Sequence, residues 1–259
     1  MTQPLSGKGA LVTGGGRGIG AAVARRLAAA GAAVIVAARS ESQVAGVARD
    51  IIADGGSAWA QTCDVTDPES VAALADFAAK TLSQVDILVN NAGLAHSAPL
   101  HRITLEDWQR LFAVNATGTL LCSQAFVPGM MRRGWGRVIN VASVAGLHGA
   151  KYIAAYSASK HAVIGFTRSL AAEVAASGVT VNAVCPSYVD TEMTVESMDR
   201  MVAKAGITRE QALEHILALN PQRRLIAPDE VAHAVATLCD QEARGINGQT
   251  MVIDGGAQA

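Results

Sequence analysis

The chain has 259 residues, half of them hydrophobic but only 4% aromatic, and 21 Lys and Arg balance 22 Asp and Glu for a net charge of −1. That size and apolar fraction suit one α/β domain with a substantial core, while the near-neutral charge, without any basic stripe interleaved with aromatics, excludes a polyanion-binding surface and hence a nucleic-acid partner. Cys63, Cys122, Cys185 and Cys239 stand far apart in no metal or CxxC spacing, Met1 to Lys8 holds no apolar leader, and no apolar run approaches a membrane span, so a cytoplasmic chain with reduced thiols, no membrane partner and no metal is expected.

Gly9 to Thr13 is a short apolar run ending in Gly14-Gly15-Gly16-Arg17-Gly18-Ile19-Gly20, after which Ile19, Val23 and Leu27 recur four apart until Gly31. This pattern predicts strand, glycine loop and helix, with Gly31 just past the helix end. Glycines at 14, 16, 18 and 20 let the backbone turn sharply and let phosphate oxygens reach amide groups at a helix N-terminus. Ala33 to Ala38 is a second buried strand, which makes the unit βαβ. Its end decides which ribose is accepted, because a carboxylate bonds a 2′-hydroxyl whereas an arginine accommodates a 2′-phosphate. Here the strand closes on Ala38-Arg39-Ser40, with no acid and with Arg17 as a second cation in the loop. NADP(H) is therefore the preferred cofactor, with NAD(H) left open.

Further on, Ser57 to Val65 reads as a third strand, and Asp67 caps a helix that has Pro68 in its first turn. Val85 to Val89 is a fourth strand running into Asn90-Asn91-Ala92-Gly93. Thr104-Leu105-Glu106-Asp107 opens a long helix carrying Asn115. Arg137 to Val141 is a fifth strand with Ser143 just past it, and Val179 to Cys185 is a sixth, broken by Pro186. Val231, Val235 and Leu238 mark a late helix, and Gln249 to Ile253 a seventh strand. Strands and helices alternate without a linker or repeat, so one doubly wound parallel sheet spanning 1–259 is the economical architecture. The stretch 191–220 is extra, helical and Met-rich, and it sits where such sheets bind ligands; a mobile lid over the substrate is expected there.

Between the fifth and sixth strands lies Tyr156-Ser157-Ala158-Ser159-Lys160. A tyrosine and a lysine at i and i+4 share a helix face, and an ammonium beside a phenol favours its anion. Such a hydroxyl can lend or take a proton while a carbonyl and an alcohol interconvert. On its own the pair is common on solvated helices. His96 and His148 follow the Asn-rich turn and Ser143, which places them as candidate pocket residues. None of the six histidines falls in a metal motif.

Taken together, the motifs resemble those of the single-domain short-chain dehydrogenases/reductases, and the resemblance covers essentially the whole chain. The family's TGxxxGxG is matched from Thr13 to Gly20, its NNAG from Asn90 to Gly93, its asparagine by Asn115, its serine by Ser143 and its YxxxK by Tyr156 to Lys160. The resemblance implies a Rossmann sheet of about seven strands with helices on both faces. Implied cofactor contacts are Gly14, Gly16, Arg17, Gly18, Ile19, Gly20, Arg39, Asp64, Val65, Asn91, Ala92, Gly93, Pro186, Val189 and Thr191, together with Tyr156 and Lys160. The implied catalytic set is Asn115, Ser143, Tyr156 and Lys160. Tyr156 is the acid in reduction, Lys160 lowers its pKa and holds the ribose, Ser143 bonds the substrate oxygen, and Asn115 holds a relay water. Ser187 replaces the glycine usual after Pro186.

Within this family the layout resembles 3-oxoacyl-thioester reductases and 3-hydroxyacyl-CoA dehydrogenases. Ala145 and Ile153 stand where 3-hydroxybutyrate dehydrogenases usually carry a carboxylate-binding histidine and lysine. A small free hydroxy acid is therefore not expected; the expected substrate is a neutral ketone or a thioester whose charge lies far from the carbonyl, a free or CoA-linked β-keto compound foremost, held by Ser143, Tyr156, His96 and His148. Two alternatives stay open: a dehydrogenase of small neutral or cyclic secondary alcohols, and a non-catalytic dinucleotide-binding regulator. The resemblance and the apolar last strand at a sheet edge also predict a homo-oligomer, expected as a tetramer.

Overall fold

The computed structural model describes residues 3–258; Met1 and Thr2, the start of the stretch read for a leader, and Ala259 lie outside them. Seven strands, β1 (Gly9–Thr13), β2 (Ala33–Ala38), β3 (Ser57–Thr62), β4 (Ile87–Asn90), β5 (Gly136–Val141), β6 (Val179–Pro186) and β7 (Thr250–Ile253), form one sheet in the order β3-β2-β1-β4-β5-β6-β7. Every neighbouring pair is parallel. Alternation along β1 explains the two layers of helices. Ala10 and Val12 face α1 (Gly18–Ala29), α2 (Glu41–Ala53) and α9 (Pro228–Cys239), while Leu11 faces α3 (Pro68–Leu82), α5 (Gly118–Arg133) and α6 (Ala154–Val174). Because both faces are covered, the strands read as continuous apolar runs.

The expected elements form, with shifts at their ends. β3 stops three residues before Val65, because the Asp64 carboxylate turns back to accept the Thr66 N–H at 3.0 Å and the Thr66 hydroxyl at 2.8 Å, a local turn that competes with the ladder. β4 begins at Ile87 rather than Val85; the buried Asp86 takes the Gly9 N–H with its side chain at 3.0 Å, a donor that a longer ladder would give to a main-chain carbonyl, while its own N–H donates to the Gly9 carbonyl at 2.8 Å. Pro186 ends β6 rather than breaking it, pairing in register with Ile253 of β7 two residues past the last β5 pair, Val141 with Val184, so no β5 partner waits for the missing N–H. Asp67 caps α3 by accepting the Glu69 N–H, and Thr104 caps α4 (Leu105–Phe112) by accepting that of Asp107.

Between α4 and α5 the helix widens into a π turn, Ala113–Thr117, which carries Asn115. The continuous helix Leu105–Arg133 is long and apolar enough to cross a membrane, contrary to the expectation that no run approaches that length. In the fold its Cys122, Phe126, Val127 and Met130 pack under the sheet. Burial pushes the thiols of Cys122 and Cys239 up to about 12 and that of Cys185 up to about 11, so these cysteines stay neutral.

The extra block consists of α7 (Glu192–Ala205) and α8 (Arg209–Ala218). Its Met198, Ala212 and Ile216 form a small core of their own, apart from the two layers under the sheet. α8 opens with a full capping box: Thr208 accepts the Gln211 N–H, and the Gln211 side chain accepts the Thr208 N–H.

Candidate active site

The strand order reverses between β1 and β4, so the carboxyl ends of these two strands open a crevice. The glycine loop and the Asn-rich turn lock together there. The Thr13 hydroxyl accepts the N–H groups of Asn91 and Ala92 at 3.1 and 3.2 Å, and Asn91 Nδ2 donates to the carbonyls of Thr13 and Gly14 at 3.0 Å each. A Cβ on Gly20 would lie 2.3 Å from the Gly14 carbonyl oxygen, so only glycine lets α1 start this close to the loop. Arg17 is the N-cap of α1 in extended conformation; no side chain caps the helix, and its first turn holds no acid. The free first-turn N–H groups of Gly18, Ile19 and Gly20, at the positive end of the helix, form a cradle suited to a pyrophosphate.

At the end of β2, Arg39 is exposed and has no ion-pair partner within 4 Å among the described residues. Asp64 lies near enough to feel its charge; the Thr66 N–H bond, foremost, and that charge hold the carboxyl below its ordinary value. Arg17 is placed differently from expectation, because its guanidinium pairs with Glu192 at the start of α7. Val65 is buried against Gly118, where a Cβ would come within 2.6 Å of the Val65 methyl. Thr191 caps α7 beside the loop, its methyl 3.1 Å from where a Gly18 Cβ would stand. Val189 bridges to Ile226, and the Pro186 carbonyl accepts the Ser143 hydroxyl at 3.5 Å. Ser187 has no positive φ, so the turn accepts serine without strain.

Ser143, Tyr156 and Lys160 converge on a cavity of about 410 Å³. The Ser143 hydroxyl accepts the Ala145 N–H at 3.1 Å and lines the cavity with the Tyr156 phenol. Burial pushes the phenol above its ordinary pKa, with the Ser143 hydroxyl opposing it. In the free protein, without a bound nicotinamide, Lys160 is not among the groups that shift the phenol. Its Nζ donates to the Val141 carbonyl at 2.9 Å, and burial brings its own pKa down to about 8. Removal from water disfavours both charged forms, so at neutral pH the tyrosine is protonated and the lysine mostly charged.

Asn115 is a strut. Its Oδ1 accepts the Leu94 N–H at 2.8 Å, and its Nδ2 donates to the Leu94 carbonyl at 3.0 Å and the Ser159 hydroxyl at 2.9 Å. The side chain thus spends its polar groups joining the Asn-rich turn to α6, and the π turn aims it there. His96 and His148 both line the cavity; His96 Nε2 stands 3.7 Å from the Asp107 carboxylate. Sequence reading missed Ser159 and a buried ladder in which Asn90 donates to Asn140 at 2.9 Å and Asn140 to Thr167 at 2.8 Å. It also missed Tyr188 and Arg200 in the cavity wall. The asparagines closing β4 and β5, polar residues ending apolar strands, were the available signal for the ladder.

A protonated phenol and a serine hydroxyl at one cavity, beside a dinucleotide cradle, are built to exchange a proton with an oxygen that is gaining or losing a hydride on its carbon. Fold and site together define an NAD(P)-dependent oxidoreductase acting on CH–OH groups. The chain belongs to the short chain dehydrogenase family, whose model matches residues 8–202. It is 43% identical over 252 residues to a 3-oxoacyl-[acyl-carrier-protein] reductase of Vibrio cholerae, covering 97% of this chain and 98% of that one. A Synechocystis protein of the same name is 42% identical over 254 residues, covering 97% of each. Among solved structures, a phenylalanine-to-tryptophan variant of actinorhodin polyketide ketoreductase with NADPH superposes with a TM-score of 0.94 at 36% identity, covering 99% of each chain.

Proposed function

We propose that this enzyme uses NADP(H) to interconvert a β-keto compound and its β-hydroxy counterpart, with Tyr156 as the proton donor in reduction. The observation that carries the reading is the meeting of Ser143, Tyr156 and Lys160 at one cavity beside the α1 cradle. When bound, the cofactor supplies or takes the hydride; the chain supplies position and the proton. Gly16, Gly18 and Ile19 would hold the pyrophosphate, Arg39 the adenosine 2′-phosphate, and Lys160 and Asn91 the nicotinamide end. Ser143 bonds the substrate oxygen as charge grows on it, and Tyr156 passes that oxygen its proton. Asn115 keeps the Leu94 turn and α6 in register. The β-keto assignment is supported by the 3-oxoacyl reductase activity for which the relatives are named and by the apolar wall at Ala145 and Ile153. α7 and α8, with their separate core, act as the lid.

The test is oxidation of NADPH followed at 340 nm with ethyl acetoacetate and acetoacetyl-CoA. Turnover of either is expected, and turnover of neither counts against the reading. We also propose a homo-oligomer: β7 lies at the sheet edge, and Leu100, Leu105 and Trp108 are exposed around α4. Sedimentation at micromolar concentration is expected to show a multiple of the monomer mass.

A further inference from the structure

The wall of the substrate cavity contains Lys160, Arg200 and Arg224, together with His96 and His148, and, among the described residues, no Asp or Glu side chain. Two of the three strong cations are already occupied. Lys160 is bonded to the Val141 carbonyl beside Tyr156. Arg224 is held by both oxygens of Glu230, at 2.6 and 2.7 Å. Arg200 is not. Its Nε is buried without a hydrogen-bond partner among the described residues, and its one carboxylate neighbour among them, Glu196, is 3.9 Å away, too long for a hydrogen bond. A buried guanidinium N–H left unpaired in a native cavity asks for a ligand oxygen.

Arg200 belongs to the substrate end of the cavity. It lies nine residues along α7 from Thr191, about 13 Å at 1.5 Å per residue, and Thr191 is the end that touches the glycine loop. One turn further, on the same helix face, the Lys204 Nζ donates to the Ser97 carbonyl at 2.7 Å, which brings this face of α7 over the loop after β4. The Tyr188 phenol feels the charge of Arg200 and is itself an electrostatic neighbour of Tyr156. Arg200 thus shares the cavity wall with Tyr188, while Ala145 and Ile153 make other parts of that wall apolar.

We infer that Arg200 binds a carboxylate carried by the substrate itself, so that the physiological substrate is an oxo acid, or its hydroxy acid, whose carboxylate is remote from the reacting carbon. This rests on the ketone–alcohol reading of the site. A planar guanidinium matches a carboxylate in a two-bond fork. The phosphates of a thioester carrier hang on a long pantetheine arm, which a cavity of about 410 Å³ does not enclose, so they are the less fitting source of the charge.

The test titrates 4-oxocyclohexanecarboxylate and its methyl ester by calorimetry into the protein saturated with NADP⁺, where no turnover occurs. The acid is expected to bind about tenfold or more tighter than the ester in the wild type. In Arg200→Met that preference is expected to vanish, and in Arg200→Lys to survive in part; Arg200→Gln substitutes if the Met variant does not fold. Equal binding of acid and ester in the wild type, or a preference that persists in Arg200→Met, overturns the inference. So does a loss in Arg200→Met of affinity for acetoacetyl-CoA but not for the acetoacetyl thioester of N-acetylcysteamine, since the charge would then be the carrier's. If no ketone oxidises NADPH yet the acid preference depends on Arg200, the anion site stands and the reaction assignment fails.

Discussion

Replacing Tyr156 with phenylalanine is expected to lower turnover in carbonyl reduction by about 10²–10⁴, with NADPH binding retained. The change keeps the ring and removes only the hydroxyl that shares the cavity with Ser143. Without it, a carbonyl oxygen receiving a hydride would have the Ser143 hydroxyl but no proton donor, which is a loss made in the transition state and hence in kcat. The raised pKa of the phenol suits this direction, because the protonated form is the one that donates. Reduction should accordingly weaken as pH rises. In the free protein Lys160 loses its charge through about pH 8, and the phenol deprotonates above its ordinary value. Oxidation, which needs a proton acceptor, should strengthen over the same rise. A pH profile of kcat/KM in each direction, with wild type and Tyr156→Phe side by side, measures both effects; near-normal turnover in the variant would remove Tyr156 from the role.

The second large effect is on cofactor choice. NADPH should be preferred over NADH in kcat/KM, and Ala38→Asp/Arg39→Leu should move the ratio toward NADH by about 10²-fold or more. The two cofactors differ only at the 2′ position, so the shared adenosine contributes nothing to the ratio. A charge-assisted bond from a guanidinium to phosphate is worth about 1.5–3 kcal/mol, and a bidentate pair doubles the opportunity. The new aspartate would repel the phosphate and accept from the ribose hydroxyl instead. Since Arg17 is engaged by Glu192, the discrimination falls on Arg39, which is exposed and unpaired among the described residues. An unchanged ratio in the double variant would show that Arg39 stacks on the base without reading the phosphate.

Local signals located the strands and helices to within a few residues, and where they missed, a side chain had intervened. Asp64 folds back on Thr66 and ends β3 early, and Asp86 reaches the Gly9 backbone and delays β4. Both are carboxylates competing for main-chain donors, a contest that periodicity does not register. Likewise, nothing in the run from Leu105 to Arg133 announces the π turn; it is explained by the three bonds Asn115 makes with Leu94 and Ser159, groups remote in the chain.

By itself the sequence determined the alternation that makes the sheet, the glycine loop, and the serine, tyrosine and lysine whose spacings are short and local. Those properties follow from backbone periodicity and glycine geometry, which a linear chain displays openly. Only the tertiary structure decided the protonation states and the allegiance of each arginine. Burial, not the neighbouring ammonium, dominates at Tyr156, and whether an arginine is spent or available depends on which carboxylate the fold brings up to it. Glu192 takes Arg17 and Glu230 takes Arg224, while Arg200 is left with an unpaired N–H at the cavity wall. Distance in space sets these pairings, and no separation along the chain encodes it.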